Sequence, residues 1–195
     1  MPSPIAHSAV VLIVRAIVAR HDRLRRAVRA RPAFLYAAAV GTVLVPDVDF
    51  LLERVFDDRV LWHGGATHSL VVGILFGLLF VVLCRSWYGT AFPWRAGSLL
   101  GIACAWSHPV MDMATWGRGA RVLWPFSSER YTTVTLFFGA HHAQPYAWKL
   151  HLITLVTELL FVAALWWLTR GFWRQTNDSA PGGRIGAAEG AAYGE

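Results

Sequence analysis

Three short polar clusters stand at the ends of strongly apolar segments, and their residue types could bind a metal ion. The clusters are Pro46-Asp47-Val48-Asp49, His63-Gly64-Gly65-Ala66-Thr67-His68-Ser69 and His108-Pro109-Val110-Met111-Asp112. Ionisable side chains at the edge of hydrocarbon cost free energy, so in a chain this apolar they indicate a functional site. Carboxylate oxygens and imidazole nitrogens together are ligands that suit a divalent cation.

The first cluster follows Pro46, which ends the preceding helix because proline has no N–H and restricts Val45. Beyond it we expect extended backbone, in which alternate residues share a side, so that Asp47 and Asp49 project together. Two carboxylates this close repel each other unless a cation lies between them or one is protonated. A solvated pair in which Asp47 caps a following turn is the alternative.

The second cluster combines two histidines with residues that shape a turn. Gly64 and Gly65 permit a tight turn and a close approach of the backbone to a ligand. Thr67 can cap the next helix, which places His68 in the first turn of that helix. One alternative is an ordinary helix cap with an interfacial histidine. A Ser-His nucleophile pair that uses Ser69 is a weaker alternative, because adjacent residues on a helix point in different directions.

The third cluster contains His108 and Asp112, whose spacing of four places them on one face of a helix. They could be two metal ligands, one ligand with the carboxylate that orients it, or a simple buried hydrogen bond. Glu158 is the carboxylate that lies well inside another apolar segment, and a structural hydrogen bond is expected for it.

Composition indicates a membrane protein of one domain. Of 195 residues, 55% are hydrophobic and 15% are charged, and the mean hydropathy is +0.43; soluble proteins carry about 25% charged residues. The net charge of +6 could suggest nucleic acid. No aromatic residues interleave with the arginines between Arg20 and Arg31, as a base-stacking surface would need, so no nucleic-acid partner is expected.

Five apolar segments span 5–19, 33–46, 69–87, 96–113 and 149–169. They predict an all-α, polytopic membrane helical bundle of about five apolar helices, with a long connection at 114–148 on the side of the polar clusters. The first, second and fourth segments are shorter than the roughly 20 residues that cross a bilayer, so a soluble helical bundle is the alternative. No basic residue precedes the first segment, and a cleavable signal is therefore not expected.

The embedded domain is predicted to cover 1–175. Residues 176–195 are rich in Gly, Ala, Asn, Asp and Ser, and we expect a disordered tail there. The oligomeric state is left open by the sequence.

Alternating the spans across a membrane places His7 and all three clusters on one face, which adds His7 as a candidate ligand. The opposite face carries ten arginines, against six basic residues on the face of the clusters. The excess of positive charge predicts that the opposite face is cytoplasmic. The clusters then face outward from the cell (inner) membrane.

The ordered combination of Gly41, the three clusters and Gly119-Ala120-Arg121-Val122-Leu123-Trp124-Pro125-Phe126-Ser127 is similar to the YdjM-type family of membrane-bound metal-dependent hydrolases. The similarity covers about residues 5–130. The family pattern has an arginine after the first histidine of the second cluster, where this chain has Gly64. If that arginine binds an anionic substrate, either Arg59, Arg118 or Arg121 replaces it here or the activity is weakened.

Residues and resemblance together predict an integral membrane metal-dependent hydrolase. One or two divalent ions, Zn first and Mn or Fe as alternatives, would be held by His7, Asp47, Asp49, His68, His108 and Asp112. The metal would lower the pKa of a bound water, while His63 or Asp49 would move protons.

A phosphoester of a lipid or similar amphiphile is the expected substrate, because the site lies where headgroups lie. Two alternatives stay open. One is a metal or ion transporter, which needs polar residues continuing across the bilayer. The other is a non-catalytic membrane scaffold, in which the polar clusters merely cap helices and lie apart in space.

Overall fold

Helices dominate the computed structural model, which describes residues 3–56, 62–117, 119–138 and 148–178. The α-helices in these ranges are α1 (Pro4–Ser8), α2 (Val10–Arg20), α3 (Asp22–Val28), α4 (Pro32–Leu44), α5 (Asp49–Val55), α6 (Leu70–Tyr88), α7 (Trp94–Met113) and α8 (Trp148–Asp178). Each of the five predicted apolar segments is helical. The all-α prediction is confirmed. The residues after 178, in the predicted tail, lie outside the described ranges.

Three helical segments are long and apolar enough to cross a membrane: Pro32–Val55, Leu70–Ala91 and Trp148–Phe172. Pro4–Arg20 and Asp22–Val28, which meet at a bend of 107°, make a fourth if the pair counts as one span. These spans confirm the predicted membrane helical bundle. Helix α7 is less apolar, and it packs against α6 and α4, with nine of its residues buried.

Helices α6 and α7 approach each other through glycines on both surfaces. A Cβ on Gly77 would lie 2.5 Å from the backbone nitrogen of Ile102, and a Cβ on Gly101 would lie 2.5 Å from the carbonyl oxygen of Gly77. Small residues let helix backbones come this close in membranes, where packing rather than hydrophobic burial drives association. The spacing Gly73–Gly77 on α6 and Gly97–Gly101 on α7 is the sequence signal for this contact.

The backbone after Pro46 is helical, so the predicted extended conformation is wrong. Val45–Val48 forms a 3₁₀ turn, and Asp49 begins α5 directly afterwards. Proline fits the first turn of a helix, where its missing N–H is not needed. The proline thus ends α4 at Leu44, as expected, but starts a new helical turn rather than a strand.

Ser69, not Thr67, caps α6. The Ser69 hydroxyl accepts a hydrogen bond of 3.2 Å from the N–H of Val72, and Ser69 itself has extended backbone. His68 therefore ends a separate 3₁₀ turn, Ala66–His68, instead of lying inside the helix. The prediction that Thr67 is the cap is wrong. The Thr67 hydroxyl instead donates a hydrogen bond of 2.9 Å to Asp49 Oδ2.

The connection that follows α7 is bonded to the second polar cluster. The N–H of Arg121 donates to the Gly64 carbonyl at 3.0 Å, and the N–H of Leu70 donates to the Val122 carbonyl at 2.9 Å. Ala120 and Tyr131 pair in an isolated antiparallel bridge, which holds the connection in a compact loop. The loop lies on the side of the clusters, as predicted.

We expect Gly77→Ala to destabilise the protein by about 1–3 kcal/mol, because the new methyl group forces α6 and α7 apart. Gly41→Ala is the matched control, since nothing lies within 4 Å of a Cβ there. This control should leave the free energy of unfolding unchanged or raise it slightly, because alanine is more stable than glycine inside a helix by about 0.5–1 kcal/mol. Thermal unfolding in detergent measures both; equal melting temperatures for the two variants would contradict the close contact.

Candidate metal centre

Four side chains from three parts of the chain bring one donor atom each to the same place. The Nε2 atoms of His68 and His108 lie 3.1 Å apart. Asp112 Oδ2 lies 3.1 Å from the first of these nitrogens and 3.6 Å from the second. Asp47 Oδ1 lies 3.3 Å from His108 Nε2 and 3.8 Å from His68 Nε2.

These separations are close to those between neighbouring ligand atoms of a metal site. Metal–ligand bonds of roughly 2.0–2.2 Å place the donor atoms of a four-coordinate site about 3.4 Å apart. The Nε2 atoms of His68 and His108 lie at 3.1 to 3.8 Å from each other and from the two carboxylate oxygens, around that value. Two imidazoles with two carboxylates therefore form a donor set whose chemistry and spacing both fit a divalent cation.

Several buried polar atoms of these residues and of His7 have no hydrogen bond of good geometry. They are Asp47 Oδ1, Asp112 Oδ1, His108 Nδ1 and both ring nitrogens of His7. A buried polar atom without a partner costs about 1–3 kcal/mol, and more when it is charged. A cation bound by the carboxylates would remove that cost for their oxygens.

Asp49 contacts the second cluster on the side away from the four donor atoms. Its Oδ2 lies 3.1 Å from His68 Nδ1 and accepts hydrogen bonds from Thr67 Oγ1 at 2.9 Å and from the Gly64 N–H at 3.0 Å. Its Oδ1 lies 2.8 Å from His63 Nδ1. A carboxylate that holds one ring nitrogen fixes the tautomer and directs the other nitrogen toward a ligand.

His68 lies between two carboxylates, and this position controls its protonation. Burial lowers the pKa of His68, but hydrogen bonds to Asp112 and Asp49 outweigh burial and raise it to about 9. At neutral pH the ring then carries both protons when no cation is bound, and one of them faces Asp112. A cation that binds His68 Nε2 has to displace that proton.

His7 completes the centre from the N-terminal helix. It is fully buried, its Nε2 lies 3.4 Å from Asp112 Oδ1, and its ring stacks on that of His108 at 3.9 Å. Two sets of three possible ligands result within the described residues: His7 with His108 and Asp112, and Asp47 with His63 and His68. The two sets lie side by side, because the Nε2 atom of His108 in the first set is 3.1 Å from the Nε2 atom of His68 in the second.

The position of His7 depends on a buried carboxylate of α8. Glu158 is 2% exposed and accepts hydrogen bonds from both the backbone N–H and the hydroxyl of Ser3. The same hydroxyl accepts from the N–H of Ile5 at 3.2 Å and caps α1, the helix that carries His7. The structural hydrogen bond expected for Glu158 is present, and it joins residues 155 positions apart.

Gly64 leaves space for an arginine from the long connection. Gly64 has a φ of +73°, and a Cβ there would lie 2.7 Å from Arg130 Nη1. The Arg130 guanidinium donates to the His63 carbonyl at 2.9 Å and to the Gly119 carbonyl at 3.0 Å. No motif in the sequence marks Arg130, and a single sequence offers no signal that would have found it.

Of the three arginines expected to replace the missing side chain at Gly64, the structure describes Arg121. Arg59 and Arg118 lie outside the described residues. Arg121 contacts Gly64 through its backbone N–H, at 3.0 Å from the carbonyl oxygen. Arg130, which was not among the expected arginines, places its guanidinium against this turn.

Comparison with known proteins points to a bacterial inner membrane family. The sequence model described as "YdjM inner membrane protein" matches residues 1–179. The "Inner membrane protein YbcI" of Escherichia coli (strain K12) is 29% identical over 183 residues, which cover 87% of this chain and all of that protein. No solved structure shows a significant match.

We expect Glu158→Ala to lower the melting temperature in detergent, because two partly buried donors of Ser3 lose their partner, at a cost of about 1–3 kcal/mol. Glu158→Gln keeps one acceptor oxygen, so its melting temperature should lie between those of Glu158→Ala and the wild type. Thr157→Val is the neighbouring control, since its hydroxyl bonds within α8, to Thr154 at 2.9 Å. Unchanged melting of Glu158→Ala would show that the contact to Ser3 does not hold α1.

Proposed function

The chain belongs to the YdjM inner membrane protein family, and we propose that it is a metal-dependent hydrolase of the inner membrane. The observation that carries the proposal is a set of four donor atoms, in which two imidazole nitrogens lie 3.1 Å apart and 3.1 to 3.8 Å from two carboxylate oxygens. They belong to Asp47, His68, His108 and Asp112. The first three come from separate turns or helices, so their convergence is a property of the fold rather than of one motif.

Zinc is the first choice of metal, because two imidazoles and two carboxylates in a four-coordinate arrangement suit it, while Mn or Fe would be accepted by the same atoms. A bound divalent cation would lower the pKa of a water and polarise the scissile bond. His7 lies next to Asp112 and His108, so a second ion would share these ligands.

Asp49 is proposed to orient ligands rather than to bind the metal. Its oxygens contact His68 Nδ1, His63 Nδ1, the Thr67 hydroxyl and the Gly64 N–H. Four contacts of this kind hold the carboxylate in place and keep the Nε2 of His68 directed at the other three donors. This role differs from the direct ligation that the sequence predicts for Asp49.

His63 is proposed to move protons. Its Nδ1 is held by Asp49 at 2.8 Å, and its ring stacks on Phe50 at 4.0 Å. Its side chain is 17% exposed, whereas His7, His68 and His108 are fully buried. An imidazole that is oriented by a carboxylate and reaches solvent has the requirements of a general acid or base.

A phosphoester of a lipid or similar amphiphile is the proposed substrate. The centre lies at the ends of α4 and α7 and at the start of α6, which are the ends of membrane helices where headgroups lie. Arg130, held against His63, supplies a positive charge beside the centre for an anionic group. The excess of arginine at the other helix ends supports a site on the non-cytoplasmic face.

The alternatives receive less support. A scaffold requires the polar clusters to lie apart, yet their donor atoms are within 4 Å of each other. A transporter requires polar groups across the membrane, yet the buried residues of α6 are Gly73, Gly77, Phe80, Val81 and Cys84. The buried Glu158 is bonded to Ser3 rather than aligned along a pathway.

Elemental analysis of the purified protein tests the metal. We expect bound Zn, Mn or Fe in the wild type and its loss in His68→Ala and Asp112→Ala. Asp49→Asn should retain binding but weaken it by about 10–100-fold, the usual effect of removing an orienting partner.

His21→Ala is the matched control for metal content, because His21 caps α3 at the other end of the bundle. The His21→Ala variant should retain the wild-type amount of bound metal. A wild-type protein without metal, or equal metal in all variants, would end the proposal.

A screen of phosphoesters in detergent tests the chemistry. Hydrolysis should stop on chelation and return with Zn or Mn. His63→Ala should keep the metal and lose roughly 10²–10⁴-fold in kcat, the usual contribution of a general acid or base. Arg130→Gln should raise KM for anionic substrates with little change in kcat; an activity that survives chelation would contradict the metal mechanism.

A further inference from the structure

A second candidate site lies at the end of the bundle away from the metal centre. It is a cavity of about 340 Å³ between the junction of α2 with α3 and the start of α7. Its walls are formed by Arg20, His21, Asp22, Arg23, Pro93, Arg95 and Ala96. Nothing in the proposed hydrolase uses these residues.

The charges around this cavity are unbalanced. Three arginines line it, and the single carboxylate among the lining residues, Asp22, is paired with Arg25 at 2.7 Å. Arg23 and Arg95 have no hydrogen bond or ion pair to any residue in the described part of the chain. Like charges around one small space repel each other, so an anion bound there would be stabilised.

One of the three arginines is fixed in place by α8. The guanidinium of Arg20 lies over the ring of Phe172, 3.7 Å from its centroid. A cation over an aromatic face is attracted by the ring and loses part of its freedom. The cavity is therefore partly preorganised before any ligand arrives.

The cavity lies at the level of lipid headgroups. Arg95 precedes Asp112 of the metal centre by 17 residues on α7, and at 1.5 Å per residue this separates them by about 26 Å, close to the thickness of a hydrocarbon core. Helix α3 leaves α2 at 107° and buries Leu24 and Val28. A helix that turns across the bundle with an arginine-rich outer face is typical of a membrane interface.

Exposed apolar side chains continue from the cavity toward the middle of the membrane. Leu99 lies one turn after Arg95 on the same face of α7 and is 72% exposed. Ile17 lies one turn before Arg20 on α2 and is 39% exposed. An acyl chain could cover both residues while its headgroup remains among the arginines.

We propose that this cavity binds the phosphate of an anionic phospholipid headgroup. Arginine matches phosphate because its planar guanidinium donates two parallel hydrogen bonds to phosphate oxygens. The volume suits a headgroup, being at the lower end of the roughly 300–1,000 Å³ of small-molecule sites. The apolar surface below it favours a lipid over a free phosphate ion.

The test measures lipid binding to the purified full-length protein in detergent, by thermal unfolding and by native mass spectrometry. The probes are phosphatidylglycerol, phosphatidylcholine and inorganic phosphate. The cavity variant is Arg23→Gln with Arg95→Gln. The matched control is Arg26→Gln with Arg29→Gln, which removes the same charge from exposed positions of the neighbouring surface that do not line the cavity.

Phosphatidylglycerol should raise the melting temperature of the wild type and of the control more than phosphatidylcholine does. The cavity variant should bind it about tenfold or more weakly, since two charged hydrogen-bonding groups are lost. Metal content should be the same in all three proteins, which separates this inference from the hydrolase proposal.

Three results would overturn the inference. Equal stabilisation by both lipids would exclude recognition of the anionic headgroup. Equal losses in the cavity variant and the control would indicate a diffuse surface charge instead of a site. An equal effect of inorganic phosphate at the same concentration would show an anion site without a role for lipid.

Discussion

The repulsion between buried, closely spaced donor atoms is the constraint on which the centre of this protein depends. His68 and His108 hold their Nε2 atoms within 4 Å of each other and of carboxylate oxygens of Asp47 and Asp112, largely out of water. Such a group is stable only with a positive charge between the atoms, either a proton or a metal ion. The raised pKa of His68 shows how strongly the carboxylates attract that charge.

The helix packing holds these donor atoms together despite the repulsion between them. The glycine contact between α6 and α7 lets the two backbones approach closely, which sets the distance between His68, before α6, and His108, on α7. The bond between Ser3 and Glu158 holds the first helix against the last and fixes His7. The loop after α7 holds the turn of His63 and Gly64 by backbone hydrogen bonds. Separate elements thus restrain each ligand.

Helix α7 connects the two ends of the molecule. It begins at the arginine-lined cavity and ends with His108 and Asp112, two candidate ligands of the proposed metal centre. Its polar content is tolerated because α4 and α6 cover it, whereas the apolar surfaces of α6 and α8 are exposed, as expected for contact with lipid. One end of the bundle is rich in guanidinium and the other in carboxylate and imidazole, an asymmetry that suits a protein acting at a membrane surface.

The sequence by itself determined the apolar helices and the three polar clusters, because hydropathy and residue type are local properties that need no knowledge of packing. It did not determine the backbone after Pro46, where a helical turn stands in place of the expected extended conformation. As a result, Asp47 faces the donor atoms, whereas Asp49 faces the Nδ1 of His68. Arg130 beside Gly64 and Glu158 beside Ser3 were decided by the tertiary structure alone. These pairs are 66 and 155 positions apart, and contacts at such separations arise only when whole helices and loops pack together.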